Sequence, residues 1–116
     1  MAIPEPTRTE ALAAVKDFCD NAVPTKHLDQ LRVDHVVRGN SITIRELRAP
    51  WREDYGPEWS VNPRAQLRYD QGTGMWTLYW PDRNHRWLIY PDAQPAREIE
   101  WLLREVDLDP RGAFWG

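Results

Sequence analysis

Cys19 is the only cysteine in this 116-residue chain, so no internal disulfide can staple it. That suits a reducing compartment. Histidine is almost as scarce. His27, His35 and His85 fall at no spacing that converges metal ligands, neither i,i+4 on a helix nor a Cys-x-x-Cys knuckle. No metal and no cofactor are therefore expected. Long apolar runs are missing as well. The longest near the N-terminus, Ala11–Val15, is far short of a membrane span, and the first ten residues carry two prolines. The expectation is a cytoplasmic protein with no membrane partner. Neither Ser41 nor Ser60 stands in a glycine-flanked strand–turn–helix elbow, which argues against a serine nucleophile.

What the chain has in excess is tryptophan, with seven residues. Each buried indole removes a large area from water, so a few of them replace many smaller core residues. A chain of this length forms one domain, residues 1–116, with a core that needs no staple. The net charge of −3 gives no general attraction to nucleic acid or anionic lipid. Its distribution is uneven, at −2 over residues 1–30, +2 over 31–90 and −3 over 91–116. Thirteen of the fifteen basic residues are arginine, the cation suited to bidentate and stacked contacts, although a GC-rich coding genome produces the same bias.

The local pattern reads as α-β-β-β-β-β-α. Thr7-Arg8-Thr9-Glu10 fits a capping box ahead of a helix whose apolar stripe is Leu12, Val15, Phe18, Cys19 and Ala22, ended by Pro24. Cys19 on that stripe behaves as a small hydrophobe rather than a nucleophile. Leu31–Arg38 and Ser41–Arg48 flank Gly39-Asn40, a pair suited to a two-residue primed turn. That turn sets Val37 against Ile42, His35 against Ile44 and Val33 against Glu46 on one face. Asp34 meets Arg45 on the other. A loop of about sixteen residues, Ala49–Arg64, follows and holds three prolines with Trp51, Tyr55 and Trp59. A second hairpin pairs Ala65–Asp70 with Met75–Trp80 through Gln71–Gly74, opposing Tyr69 to Trp76, Leu67 to Leu78 and Ala65 to Trp80. The chain returns as Arg86–Tyr90, with Trp87 and Ile89 expected on the same inner face. Pro95 opens a C-terminal helix with the stripe Ile99, Leu102, Leu103 and Val106, and Ala113–Gly116 is expected to dock on the body. The fold class is α+β: an N-terminal helix, a five-stranded antiparallel β-meander with a Trp-rich core face, and a C-terminal helix.

Three stretches resemble a known family: Gly39–Ile44 running on to Pro50-Trp51-Arg52, then Leu67–Asp70 with Gly74–Asn84, and finally Gly112–Gly116. They are similar to a bacterial family catalogued as domain of unknown function 3024, over roughly residues 31–116. The resemblance implies a bacterial, single-domain, cytoplasmic protein and carries no activity, cofactor or active site to transfer.

The residues fit two enzymatic arrangements poorly. Asp34 and Glu46-Leu47-Arg48 loosely follow the carboxylate spacing of restriction-type nucleases. The Gly39-Asn40 turn sets the two carboxylates on opposite faces, and arginine stands where lysine is needed. A toxin-type ribonuclease would draw on Arg68, Arg83, His85 and Arg86 at one rim, but such toxins are strongly basic. The feature that stands out is the outer sheet face. Tyr79 and Tyr90, flanked by Arg68, Arg86 and Leu88, are expected to form a flat aromatic–arginine platform unless a helix or the long loop covers it. With Trp51, Arg52 and Trp59 of that loop, these are the candidate binding residues. Such chemistry serves a protein partner as a hot spot or single-stranded RNA as a stacking surface. The acidic trio Glu53, Asp54 and Glu58 offers a contact for a basic partner. The expected function is non-enzymatic binding, of a protein first, of RNA (or small ribonuclease action) second, and as a structural component of a larger assembly third.

Overall fold

A computed structural model describes residues 2–50, 52, 54 and 56–115. Helix α1 (Thr7–Asn21) leads through a short 3₁₀ turn into strands β1 (Leu31–Arg38), β2 (Ser41–Arg48), β3 (Ser60–Asp70), β4 (Met75–Pro81) and β5 (Trp87–Ile89). Helix α2 (Ile99–Leu108) follows. The strands pair antiparallel in sequence order, forming an open five-stranded α+β meander.

The first hairpin follows from its turn. Gly39 takes φ +59, the sign that a two-residue hairpin loop needs at its first position and that a β-carbon would resist. Val37 then faces Ile42, His35 faces Ile44 and Val33 faces Glu46, while Asp34 faces Arg45. Arg45 grips both oxygens of Asp34, Nε at 2.8 Å and Nη2 at 2.6 Å. In the second hairpin Leu67 meets Leu78 and Tyr69 meets Trp76, whose rings lie 5.0 Å apart.

Four local expectations are corrected. Pro95 does not open the second helix: Ala96 pairs with Trp76 instead, and α2 is capped at Glu98 and starts at Ile99. The capping box does not form, because Pro6 occupies the N-cap and places Thr7 inside the helix. Glu5 supplies the missing acceptor from one residue further out, taking the Thr9 amide at 2.9 Å and the Thr9 hydroxyl at 2.8 Å. The long loop is shorter than expected, since residues 60–64 extend β3 along β2 as far as Arg48↔Ser60. A bulge makes this possible: Ile44 faces Ala65 while Arg45 faces Pro63, so Arg64 is the extra residue. A proline, which has no N–H for the ladder, is tolerated at such a break. Finally, β5 presents the opposite face from the one expected. Asp82 accepts the amides of Asn84 and Arg86 at 2.8 and 2.9 Å, and His85 adopts φ +62. This five-residue turn pairs Pro81 with Trp87 and Trp80 with Leu88. One residue of register exchanges the two faces of a strand. Trp87 and Ile89 therefore point outward, and Tyr90 points inward.

The core lies between one sheet face and both helices. Ala11, Val15 and Cys19 of α1 and Ile99, Leu102, Leu103 and Val106 of α2 bury against Ile42, Ile44, Ala65, Leu67, Trp76 and Leu78. Beyond β5, Ala96 exchanges both backbone hydrogen bonds with Trp76, so the far end of β4 is covered by the chain leading into α2. The C-terminal segment docks as expected over its described residues, with Phe114 1% exposed.

Candidate functional site

Among the described residues the sheet's outer face is uncovered, although side chains crowd its centre, where Gln66 is 9% exposed. Both helices pack on the other side, and no described element crosses it. One row of outward side chains runs across all five strands: Val36, Thr43, Gln66, Tyr79 and Ile89. At about 4.8 Å per strand this row is roughly 19 Å long. Its two ends are exposed apolar groups, Val36 at 41% and Ile89 at 62%. Its middle is a locked polar arrangement. Gln66 donates to the Thr43 hydroxyl at 2.9 Å and accepts from Arg68 Nε at 2.6 Å. Held this way, the Arg68 guanidinium lies 3.9 Å from the Tyr79 ring centroid. A guanidinium at that distance is drawn to the ring's electron-rich face.

A second stack sits at the other end of the same face. Arg32 of β1 lies 4.5 Å from the Trp59 ring centroid, and its Nε is held by the Leu28 carbonyl at 2.9 Å. The alternation of β1, β2 and β3 places Arg32, Arg38, Arg45 and Arg68 outward against Asp34 and Asp70. Four positive and two negative groups give this face a formal +2. The two helices together carry −3, from Arg8, Lys16 and Arg104 against Glu10, Asp17, Asp20, Glu100, Glu105 and Asp107. The molecule has a basic sheet face and an acidic helical layer.

The expected binding residues separate on this map. Arg68 and Tyr79 come together on the open face. Trp59 joins through Arg32, a contact the sequence reading missed because it depends on the β3 extension past the bulge. Tyr90 does not belong to the face: it is 0% exposed, with its ring 5.0 Å from Phe114 and 6.3 Å from Trp80. The reversed register of β5 is the cause, and a platform that includes Tyr90 is ruled out. Arg86 is also elsewhere, in the turn beyond β4, where its Nε meets Asp82 at 3.2 Å. That turn begins five residues along the chain from Thr77, the partner of Arg68, or about 17 Å away. Arg68 and the group Arg83, His85 and Arg86 are therefore not at one rim. Arg52 pairs both its Nε and Nη2 with Asp54 at 3.1 Å. Trp51, Glu53 and Tyr55 lie outside the described residues. Asp34 and Glu46 stand on opposite faces, as their register requires.

A concavity of about 370 Å³ opens between α1, β1 and the C-terminal segment, lined by Phe18, Val23, Leu31, Val33, Glu46 and Trp115. Glu46 is 4% exposed, and one of its oxygens accepts from Arg48 at 2.8 Å and Arg64 at 2.7 Å. Burial, the strongest single influence, pushes its pKa up, but the two arginines together outweigh it and hold the carboxyl below its ordinary value. This is an ionised structural anchor, unsuited to donating a proton near neutrality. Burial likewise pushes the Cys19 thiol up to about 12, with Asp34 and Asp20 adding to the effect, so it is not a thiolate nucleophile.

A family model described as a domain of unknown function, DUF3024, matches residues 3–116. The chain belongs to this family. No curated protein and no solved structure matches it. The DUF3024 match covers the whole described core, so the open face, the bulge and the buried tyrosine all lie inside the family's extent.

The buried tyrosine of this DUF3024 chain gives a first test. The Tyr90 hydroxyl is shut away without a hydrogen bond from any described residue, and burial raises its pKa. A buried unpaired hydroxyl costs about 1–3 kcal/mol in desolvation. Tyr90→Phe is expected to leave stability unchanged or raise it by about 1 kcal/mol in urea unfolding. Destabilisation by more than about 1 kcal/mol would show that the hydroxyl makes a bond that matters.

Proposed function

We propose that the chain is a non-catalytic binding domain whose open sheet face docks onto an acidic surface of a protein partner. The reading is carried by one observation: a five-stranded sheet face with no described cover, formally +2, holding two fixed guanidinium–aromatic stacks. Tyrosine, tryptophan and arginine are the side chains over-represented among interface hot spots. The locked Gln66–Arg68–Tyr79 arrangement supports the reading further, because a preset side chain loses little rotamer freedom on binding. Complementary charge would steer the encounter and make it sensitive to salt.

Single-stranded RNA is the second reading, favoured by the flat guanidinium of Arg68 over Tyr79, on which a base would stack. The acidic helical layer and the net charge of −3 weigh against a long polyanion.

The test compares wild type with Arg68→Glu and Tyr79→Ala, both checked for fold by circular dichroism. Immobilised protein is incubated with cell lysate at low and high salt, and labelled mixed-sequence RNA is titrated in parallel. Wild type is expected to retain a protein that high salt releases. Arg68→Glu should lose it, and Tyr79→Ala should weaken capture by about 1 kcal/mol or more. Equal capture by all three proteins would refute the open-face reading. Saturable RNA binding that falls steeply with salt would move the second reading to the front.

A further inference from the structure

We propose that the free edge of β1 pairs antiparallel with β1 of a second copy, about a two-fold axis at Val36, joining two sheets into one of ten strands. This does not depend on the open face binding anything.

The two edges of the sheet are unequal. On the far side β5 is only three residues long, and Ala96 covers the exposed end of β4. On the near side β1 presents eight residues with no proline and no bulge. A two-residue hairpin closes on a hydrogen-bonded pair, here Arg38 and Ser41. Residues of β1 in phase with Arg38 therefore bond to β2, whereas Val33, His35 and Val37 turn their N–H and C=O groups to the free edge. Among the described residues nothing outside β2 bonds those groups. An uncovered edge of this length is a template for another strand.

Charges decide what that strand is. Arg32, Asp34 and Arg38 guard the edge, and most symmetric pairings put them in conflict. An axis at His35 sets Arg32 against Arg38 of the second copy, and an axis at Asp34 sets two aspartates together. An axis at Val33 pairs Arg32 with Asp34, but Arg32 is already held by Leu28 and Trp59, and Val36 stays exposed. An axis at Val36 pairs Asp34 with Arg38 twice and buries the two exposed valines against each other. Arg38 has no side-chain bond in the described fold, and the Asp34 carboxylate has lone pairs beyond the two used by Arg45. Opposite charges directly across a strand pair stabilise it and like charges destabilise it. In this register His35 and Val37 exchange backbone hydrogen bonds with Val37 and His35 of the second copy. Val36 faces its own counterpart in a non-hydrogen-bonded pair, with α-carbons about 4.5 Å apart. That separation is within disulfide range.

The experiment reads the register. Val36→Cys and Arg32→Cys are made in a Cys19→Ala background, oxidised gently, and measured by non-reducing electrophoresis and intact mass. Val36→Cys is expected to convert mainly to a disulfide dimer. Arg32→Cys should stay monomeric, because its counterpart would lie about eight residues away along the strand pair, or roughly 27 Å. Sedimentation of the unmodified protein should show a concentration-dependent dimer, weakened at least about tenfold by Arg38→Glu and preserved in Arg38→Lys. A protein that stays monomeric at high concentration overturns the proposal. So does a dimer that Arg38→Glu leaves intact, or one that crosslinks at position 32 and not at 36.

Discussion

Phe114→Ala is expected to lower the unfolding free energy by about 3–5 kcal/mol, a large share of the roughly 5–15 kcal/mol a domain of this kind holds. Phe114 follows α2 by only a few residues, yet it is among the most enclosed side chains in the molecule at 1% exposed. Its ring closes on Tyr90, and three hydrogen bonds fasten the segment around it. Asp109 ends α2 in a left-handed turn at φ +42 and accepts the amides of Phe114 and Trp115 at 3.1 and 3.0 Å. The Trp115 indole donates to the Val106 carbonyl at 2.9 Å. Truncating the ring leaves a cavity between elements that are themselves pinned, so collapse around it is limited. Urea unfolding followed by tryptophan fluorescence should show a lower midpoint with an unchanged slope. Trp101→Ala serves as the contrast: this larger residue is 64% exposed on the outward side of α2, and its loss should shift stability by less than about 0.5 kcal/mol. Similar losses for the two variants would contradict the packing described.

Those two residues show what could be read before the structure. The stripe Ile99, Leu102, Leu103 and Val106 is visible in the helical period; Trp101, which the sequence reading did not single out, falls opposite it. The Gly39-Asn40 hairpin was legible to the residue, because a two-residue turn and an alternating apolar pattern fix the same register. Where a turn was longer, the information ran out. The Asp82–Arg86 turn needs one left-handed residue, His85, and nothing in its sequence announces that choice. Residue size favoured Trp87 inward, but the turn put Tyr90 there instead, and the candidate site lost a member. The bulge at Arg64 was hidden for a similar reason, since Pro63 reads locally as a loop signal and only the partner strand turns it into a tolerated break. The Arg68–Tyr79 contact was legible from cross-strand register. The Arg32–Trp59 contact was not, because it spans three strands and lies past the bulge.

Glu46→Ala is expected to cost about 3 kcal/mol, in the range found when one member of a buried ion pair is removed. Glu46 stands on the inner sheet face between Val33 and Asn62, both half-buried, and its side chain is 5% exposed. Arg64 reaches it from the bulge with its own side chain 27% exposed and its Nε buried without a partner. Removing the carboxylate leaves that guanidinium with no counter-charge, whereas Arg48, at 58%, turns to water at little cost. The pH dependence follows from the sign of the shift. The folded carboxyl titrates below its unfolded value, so its contribution is complete above about pH 4.5 and fades as pH falls through the lower, folded pKa. Wild type should therefore lose stability faster than Glu46→Gln as the solution is acidified below about pH 4.5, and the gap between the two should narrow. Chemical unfolding at a series of pH values from neutral to about 3 measures it. Parallel curves would mean that Glu46 is held by shape alone, and that the arginines beside it contribute no net charge stabilisation to the fold.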